Sequence, residues 1–428
     1  MTAYRHDPLA TLRQRNFLLF AASRFFAATA MTLLSAAIAW HVYRISGSAF
    51  HLGLIGLARF LPSLGLSLIG GALADSHDRR RIVIASQLVP LVCAAALFTA
   101  TASGAVSLPL IYALVLLLAV AAAFENPARQ ALLPLVVRPE TFVHAITVNS
   151  SISSLGFVTG PALGGLCIAY AGVDGAYAAE AGLLMAAIAL MFIVSPRAAE
   201  NGRRAVSLDG IREGVRFVWS RQPLLGAMTL DMFAVIFGGA AALLPIYATD
   251  ILRAGPRGYG LLSASLELGA LLMSIALILL PPLKRVGLAL LVTVALFGVG
   301  TVAFGLSRSL PLSVALYMFI GMADQVSVVM RQTTVQLTTP DELRGRVSSV
   351  NMLFIGASNQ LGAVESGFVA ALTGATFAVV SGGLGCLAVV AVVAAKMPEL
   401  RRYRIEPRAP LLTSSAPPAA ALAPGEPP

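Results

Sequence analysis

Asp231, Glu267, Asp324 and Glu365 each stand inside a long apolar run of this sequence, as do Arg24 and Arg59. Glu180 is placed in the same way. Charge within hydrocarbon is expensive, so such residues are functional by default. A carboxyl so placed can hold a proton and release it when a cation approaches, the step that proton exchange for another solute requires. A static reading stands beside this one, in which Arg24 or Arg59 pairs with a facing carboxylate. Glu125 and Arg129, one helical turn apart, form such a pair by spacing alone.

Other chemistries find no footing. The only lysines are Lys284 and Lys396, and neither ends a Gly-x-x-x-x-Gly-Lys-Ser/Thr loop, so no phosphate cradle is expected. His-Glu-x-x-His and Gly-x-Ser-x-Gly are both missing. His6, His41, His51, His77 and His144 are scattered at the ends of apolar runs, and Cys93, Cys167 and Cys386 lie far apart within them. No metal site, cofactor or catalytic residue is expected, and the chain is not read as an enzyme.

The elements that must position the charges are membrane helices. The 428 residues are 57% hydrophobic and 12% charged, with a mean hydropathy of +0.83, whereas soluble domains carry about 25% charged residues. A crossing needs about 20 apolar residues. The runs give twelve spans: 17–42, 50–74, 82–102, 107–127, 144–172, 174–195, then 223–249, 258–280, 286–306, 309–330, 345–372 and 376–396. The expected organisation is a six-helix half over 1–195, a linker over 196–222, a second half over 223–398 and a Pro/Ala-rich disordered tail over 399–428. The net charge of +10 is distributed between apolar blocks and does not form a nucleic-acid patch.

Counting Lys and Arg orients the chain. Twenty-four of the 30 basic residues fall on the side of the two termini, and only Arg44, Arg253, Arg257 and Arg308 fall on the other. Both termini and the central loop are therefore expected in the cytoplasm, in a multi-pass protein of a bacterial inner membrane. Ala37-Ile38-Ala39 resembles a cleavage site, but the apolar run continues past it, so the first span is read as uncleaved. In the linker, Leu208, Ile211, Val215 and Val218 share one helical face, with Ser207 or Asp209 as a candidate cap. A basic amphipathic helix lying on the inner leaflet is expected there.

A repeat supports two halves. Arg129-Gln130, Pro139-Glu140 and Val148-Asn149 recur in order as Arg331-Gln332, Pro340-Asp341 and Val350-Asn351. Each set follows the fourth span of its half. Duplicated halves around a midplane cavity are a transporter architecture.

Two further motifs carry a resemblance. Gly71-x-Leu73-Ala74-Asp75-x-x-Asp78-Arg79-Arg80, between spans two and three, resembles the signature loop of the major facilitator superfamily. Gly156-x-x-x-Gly160-Pro161-x-x-Gly164-Gly165, in span five, is similar to that superfamily's exporter-associated motif. Glu125-Asn126-Pro127-Ala128-Arg129-Gln130-Ala131 and Thr339-Pro340-Asp341-Glu342-Leu343-Arg344-Gly345-Arg346-Val347 are similar to the bacterial branch that holds the enterobactin (siderophore) exporter and drug-efflux proteins. The resemblance implies a latch made by Gly71, Asp75, Arg79 and Arg80, with Glu125 as the carboxylate across from Arg79. The sequence departs from the pattern at Ser76 and Asp78, and the added acid there is expected to change partners. Span four, Leu110 to Phe124, lacks the arginine found in many proton-coupled exporters of the superfamily.

The expected protein is an all-α membrane transporter with twelve helices in two pseudo-symmetric halves, exporting a siderophore-like or drug-like small molecule by proton antiport. Protons and membrane lipid are its expected partners, and a monomer suffices because one chain carries both halves. Uptake, transport without protons and a transporter-shaped sensor are the alternatives.

Overall fold

The computed structural model describes residues 11, 13–197, 208–281, 285–340 and 343–404; within these, a few side chains, Gly71 and Asp75 among them, lie outside the described set. Everything described is helix, turn or short connection, with no strand. In the first half α1 (Arg15–Ser46), α2 (Ala49–Ser76), α3 (Arg79–Ala102) and α4 (Leu108–Val136) run back and forth, followed by α5 (Phe142–Ile193). At 52 residues α5 is too long for one crossing. It folds back at Gly172, whose φ of 76° and ψ of −178° no other residue type adopts readily. The break falls at the boundary expected between spans five and six.

The linker helix α6 (Leu208–Ser220) leads into α7 (Gln222–Phe237). A run of irregular turns follows: a 3-10 turn, a single α turn α8 (Leu244–Ile246) and a π turn (Tyr247–Ile251). Span seven was expected as one continuous helix; it is broken at Gly238-Gly239. The second half continues through α9 (Gly255–Leu279), α10 (Val286–Leu306), α11 (Leu310–Thr338), α12 (Arg344–Thr373), α13 (Ala375–Lys396) and a short α14 (Pro398–Arg402). Nine of the described helical segments are long and apolar enough to cross a membrane. One of these folds back at Gly172, and α2 and α12 add 28 and 30 residues of comparable length, in keeping with twelve crossings.

Burial is arranged unequally along the bundle. At the end away from the termini a single apolar core joins the halves: Leu33, Trp40, Ile55 and Tyr177 from the first, Tyr247, Leu262, Phe304 and Tyr317 from the second. At the terminal end the core divides. Phe17, Phe20, Leu132 and Met191 pack within the first half, and Leu230, Leu290, Val294 and Met330 within the second. The molecule is therefore sealed at the far end and parted at the terminal end.

Two seams make the seal. A Cβ on Gly165 of α5 would lie 2.5 Å from the Cα of Gly260 on α9, and one on Gly367 of α12 would lie 2.4 Å from the Cα of Gly53 on α2. Backbones approach this closely only where side chains are lacking. Tyr43 donates a hydrogen bond to Asp250 across the same end, and the Tyr259 hydroxyl donates to the Ala36 carbonyl at 3.0 Å.

The linker and tail differ from expectation. The apolar face of α6 is covered by protein rather than by lipid alone: Val218 is buried and packs with Leu224, Val347 and Val350, with Val215 beside it. The Ser207 cap and the side chains of Asp209 and Ile211 lie outside the described residues. Disorder was expected from 399 onwards, yet α14 docks on the second half with Leu400 buried against Gly287. Residues 405–428 lie outside the described set.

Candidate functional site

A cavity of about 580 Å³ lies between the halves. α1 contributes Arg24, Met31 and Ser35, α2 contributes Arg59, α4 contributes Glu125 and Gln130, and the second arm of α5 contributes Glu180. From the other half, α12 supplies Met352, Gly356 and Gln360. The volume suits a drug-sized molecule, and the mix of apolar wall with a few polar groups is that of a ligand site.

The polar groups are not equivalent. Arg24 donates Nε to the Ser153 hydroxyl at 2.9 Å, and Arg59 donates Nη2 to the Ser35 hydroxyl at 3.2 Å. Glu125 is committed elsewhere. Its Oε1 accepts from Arg129 Nη2 at 2.7 Å and from Gln87 Nε2 at 3.1 Å. With the terminal end parted, Glu125 is held by this local pair, because Arg129 sits one turn away on the same helix. Glu180 is 1% exposed and its Oε2 has no hydrogen-bond partner.

The acids of the second half lie apart from this cavity. Asp231 Oδ1 stands 3.1 Å from Arg331 Nε, with both side chains nearly inaccessible. Arg331 also donates Nη1 to Asn351 Oδ1 at 2.7 Å. Asp324 is within Coulombic reach of Asp231, Arg331 and Glu267. Asp231 and Asp324 thus share one guanidinium, and Glu267 lies beside Asp324. Glu365 accepts from the Ser366 hydroxyl at 3.1 Å and stands outside that group.

The signature loop is a helix junction. Asp78 is the N-cap of α3 and accepts from the backbone amides of Arg80 at 2.9 Å and Arg81 at 3.4 Å. The unexpected acid therefore satisfies otherwise orphaned helix amides. Arg80 donates Nε to the Met191 carbonyl at 3.1 Å and also bonds the Phe192 carbonyl, so it caps the last turn of α5. Arg79 is buried at the start of α3. Gly71 and Asp75 fall within α2, and their side chains lie outside the described residues.

The span-five motif has two faces. Gly160 abuts α1, where a Cβ would overlap the Thr32 hydroxyl and crowd the Thr29 carbonyl. Gly156 meets Ala28 on the same helix, and Gly164 makes only ordinary contact with Leu33. Gly165, with the Pro161 carbonyl beside it, forms the seam to α9. One motif therefore binds α1 within its half and α9 across the halves.

Several residues of the site carried weaker signals in the chain. Gln87 and Gln360 are neutral and gave no cue, whereas Gln130 lies in the repeat and in the Glu125–Ala131 motif. Arg129, Arg331 and Asn351 belong to the internal repeat, which marked them without showing what they touch. The glycine pair at 238–239 was the available cue to the broken helix: a Cβ on Gly239 would meet the Gly362 carbonyl at 2.5 Å.

Fold and site together define a polytopic membrane transporter built from two related helical bundles. Residues 6–422 match the family of transmembrane secretion effectors, and the chain belongs to that family. It is 29% identical over 413 residues to the multidrug efflux pump Tap of Mycolicibacterium fortuitum, covering 94% of this chain and 98% of that protein. It is 25% identical over 398 residues to the enterobactin exporter EntS of Escherichia coli, covering 92% and 94%. Among solved structures, a bacterial homolog of the human lysosomal transporter Spinster, inward-facing and unoccupied, aligns with a TM-score of 0.68 at 14% identity, covering 91% of this chain and 96% of that one. The fold is thus of the major facilitator type.

Proposed function

We propose that this protein exports a small organic molecule across the bacterial cytoplasmic membrane by alternating access, driven by inward movement of protons. The cavity between the halves, sealed by the Gly165–Gly260 and Gly53–Gly367 seams at one end, is the observation that carries this reading. The excess of basic residues on the side of the termini supports a cytoplasmic location for that end. The cavity then faces inward, ready to load from the cytoplasm. Export is favoured by the two efflux relatives.

The group formed by Asp231, Glu267, Asp324 and Arg331 is the proposed proton-handling element. Two acids beside one cation, with a third acid next to them, cannot all stay charged out of water without strong repulsion. Gain and loss of a proton there changes how firmly α7 and α11 hold together, which couples protonation to helix movement. The signature-loop residues, with Asp75 and Arg79 among them, are proposed to latch the terminal end when it closes.

Everted vesicles containing the protein, energised to acidify their interior, test the reading. Accumulation of a dye or siderophore that an uncoupler abolishes is the expected result. Accumulation that survives the uncoupler would separate export from proton coupling. Vesicles with folded protein that accumulate nothing from a broad panel would overturn the export reading.

A further inference from the structure

The cavity holds two guanidinium groups that no carboxylate neutralises directly among the described residues. Arg24 and Arg59 each bond one serine hydroxyl, Ser153 and Ser35. No ion pair to either is found among the described residues. Both arginines line the cavity, whose wall is mostly apolar, with Glu125, Gln130, Glu180 and Gln360 among its other polar side chains. Glu125, the nearest acid to Arg24 in the lining, is already held by Arg129 and Gln87. A guanidinium in a poorly hydrated cavity with unspent donors matches an oxyanion, which it can engage through two parallel hydrogen bonds. Resting on the reading of this cavity as the cargo site, we propose that the cargo is an organic anion: an apolar body bearing a carboxylate, sulfonate or ionised phenol.

The spacing of the two arginines adds a second element. Ser35, the partner of Arg59, lies eleven residues along α1 from Arg24, about 16 Å at the helical rise. A single acidic group cannot rest against both at once, so the arginines are successive docking points. Arg24 lies nearer the parted end and meets the anion on entry. Arg59 lies deeper, towards the seal, and holds it when the halves rock. An anion also leaves a negative-inside cell with the membrane potential, which lowers the demand on proton coupling.

Glu180 supplies the competing possibility within the same cavity. It is buried, and its Oε2 has no hydrogen-bond partner. A cationic cargo would use Glu180 in place of the arginines, so the two readings differ in the sign of the probe and in the residue that matters.

Fluorescence polarisation of the purified full chain in an uncharged detergent decides between them. The probes are 5-carboxyfluorescein as the anion and ethidium as an aromatic cation of similar size. Saturable binding of carboxyfluorescein is expected, undisturbed by excess ethidium. Arg24→Gln and Arg59→Gln should each weaken it at least tenfold, with part of the loss restored in Arg24→Lys and Arg59→Lys. Ethidium binding that Glu180→Gln abolishes, together with carboxyfluorescein binding indifferent to both arginines, would overturn the proposal. The wild-type competition needs no variant, so a misfolded mutant cannot mask the answer. The assay does not depend on transport: ethidium accumulation in vesicles without anion binding would sink the anion proposal and leave export standing. Anion binding without accumulation of any compound would do the reverse.

Discussion

The two halves carry corresponding polar groups of opposite balance. In the first half Glu125 is paired with Arg129, while Arg24 has no ion pair among the described residues, leaving an excess of positive charge beside the cavity. In the second, Asp231 and Asp324 share Arg331 with Glu267 beside Asp324, leaving an excess of negative charge away from the cavity. The difference traces to single positions. Arg129 has Glu125 one turn before it, whereas Arg331 has Ser327 at that place and reaches to α7 for Asp231 instead. The asparagines of the repeat then diverge. Asn351 accepts from Arg331, while Asn149 Oδ1 and Arg129 Nη1 are both buried without a partner. The repeat thus presents one scaffold twice, and a few substitutions give the copies opposite charge balance.

The comparison can be broken most severely at Arg331. Arg331→Met leaves Asp231 buried without its ion-pair partner, and loss of one partner of a buried pair costs about 3–5 kcal/mol. A large drop in the thermal midpoint of the detergent-purified protein is expected. Restoration by the double change Arg331→Met with Asp231→Leu would confirm that the charge imbalance, not the lost volume, is responsible.

Asp231→Asn should keep the protein folded and reduce proton-driven accumulation in everted vesicles by tenfold or more. Undiminished, uncoupler-sensitive transport in both Asp231→Asn and Asp324→Asn would remove the group from coupling.

The two asparagines give a sharper contrast. Asn351→Ala removes a hydrogen bond to a charged group, worth about 1.5–3 kcal/mol. Asn149→Ala removes a buried acceptor that has no partner, so its cost should fall below about 0.5 kcal/mol or reverse. Equal losses of stability, read by parallel thermal unfolding, would mean that the first-half pair closes in another state of the transporter.

The smallest effects belong to the periphery. Tyr43→Phe deletes the hydrogen bond to Asp250 across the sealed end and should shift the balance of conformations by about 1 kcal/mol. Cysteine labelling at that end would then rise a few-fold. Arg346→Ala removes the half-exposed ion pair with Glu213 and should change stability by less than about 1 kcal/mol.

Much of the molecule was legible in one dimension. Apolar run length set the helices, because a bilayer core requires a fixed length of covered backbone. The boundary drawn between the runs 144–172 and 174–195 fell at the fold-back, and the repeat marked the halves. The motif glycines were legible as close-packing positions, since only a missing side chain permits such contact. What the sequence could not rank was the set of buried charges. Asp231, Glu267, Asp324, Glu365 and Glu180 all read alike, as acids inside apolar runs. Helix packing separated them, putting Glu180, Arg24 and Arg59 on the cavity wall and Asp231 and Asp324 beside Arg331. A residue inside an apolar run advertises its cost at once, but its partner lies on another helix some 20 to 200 positions away. Only the packing of those helices determines whether a charge meets a counter-charge or an open space.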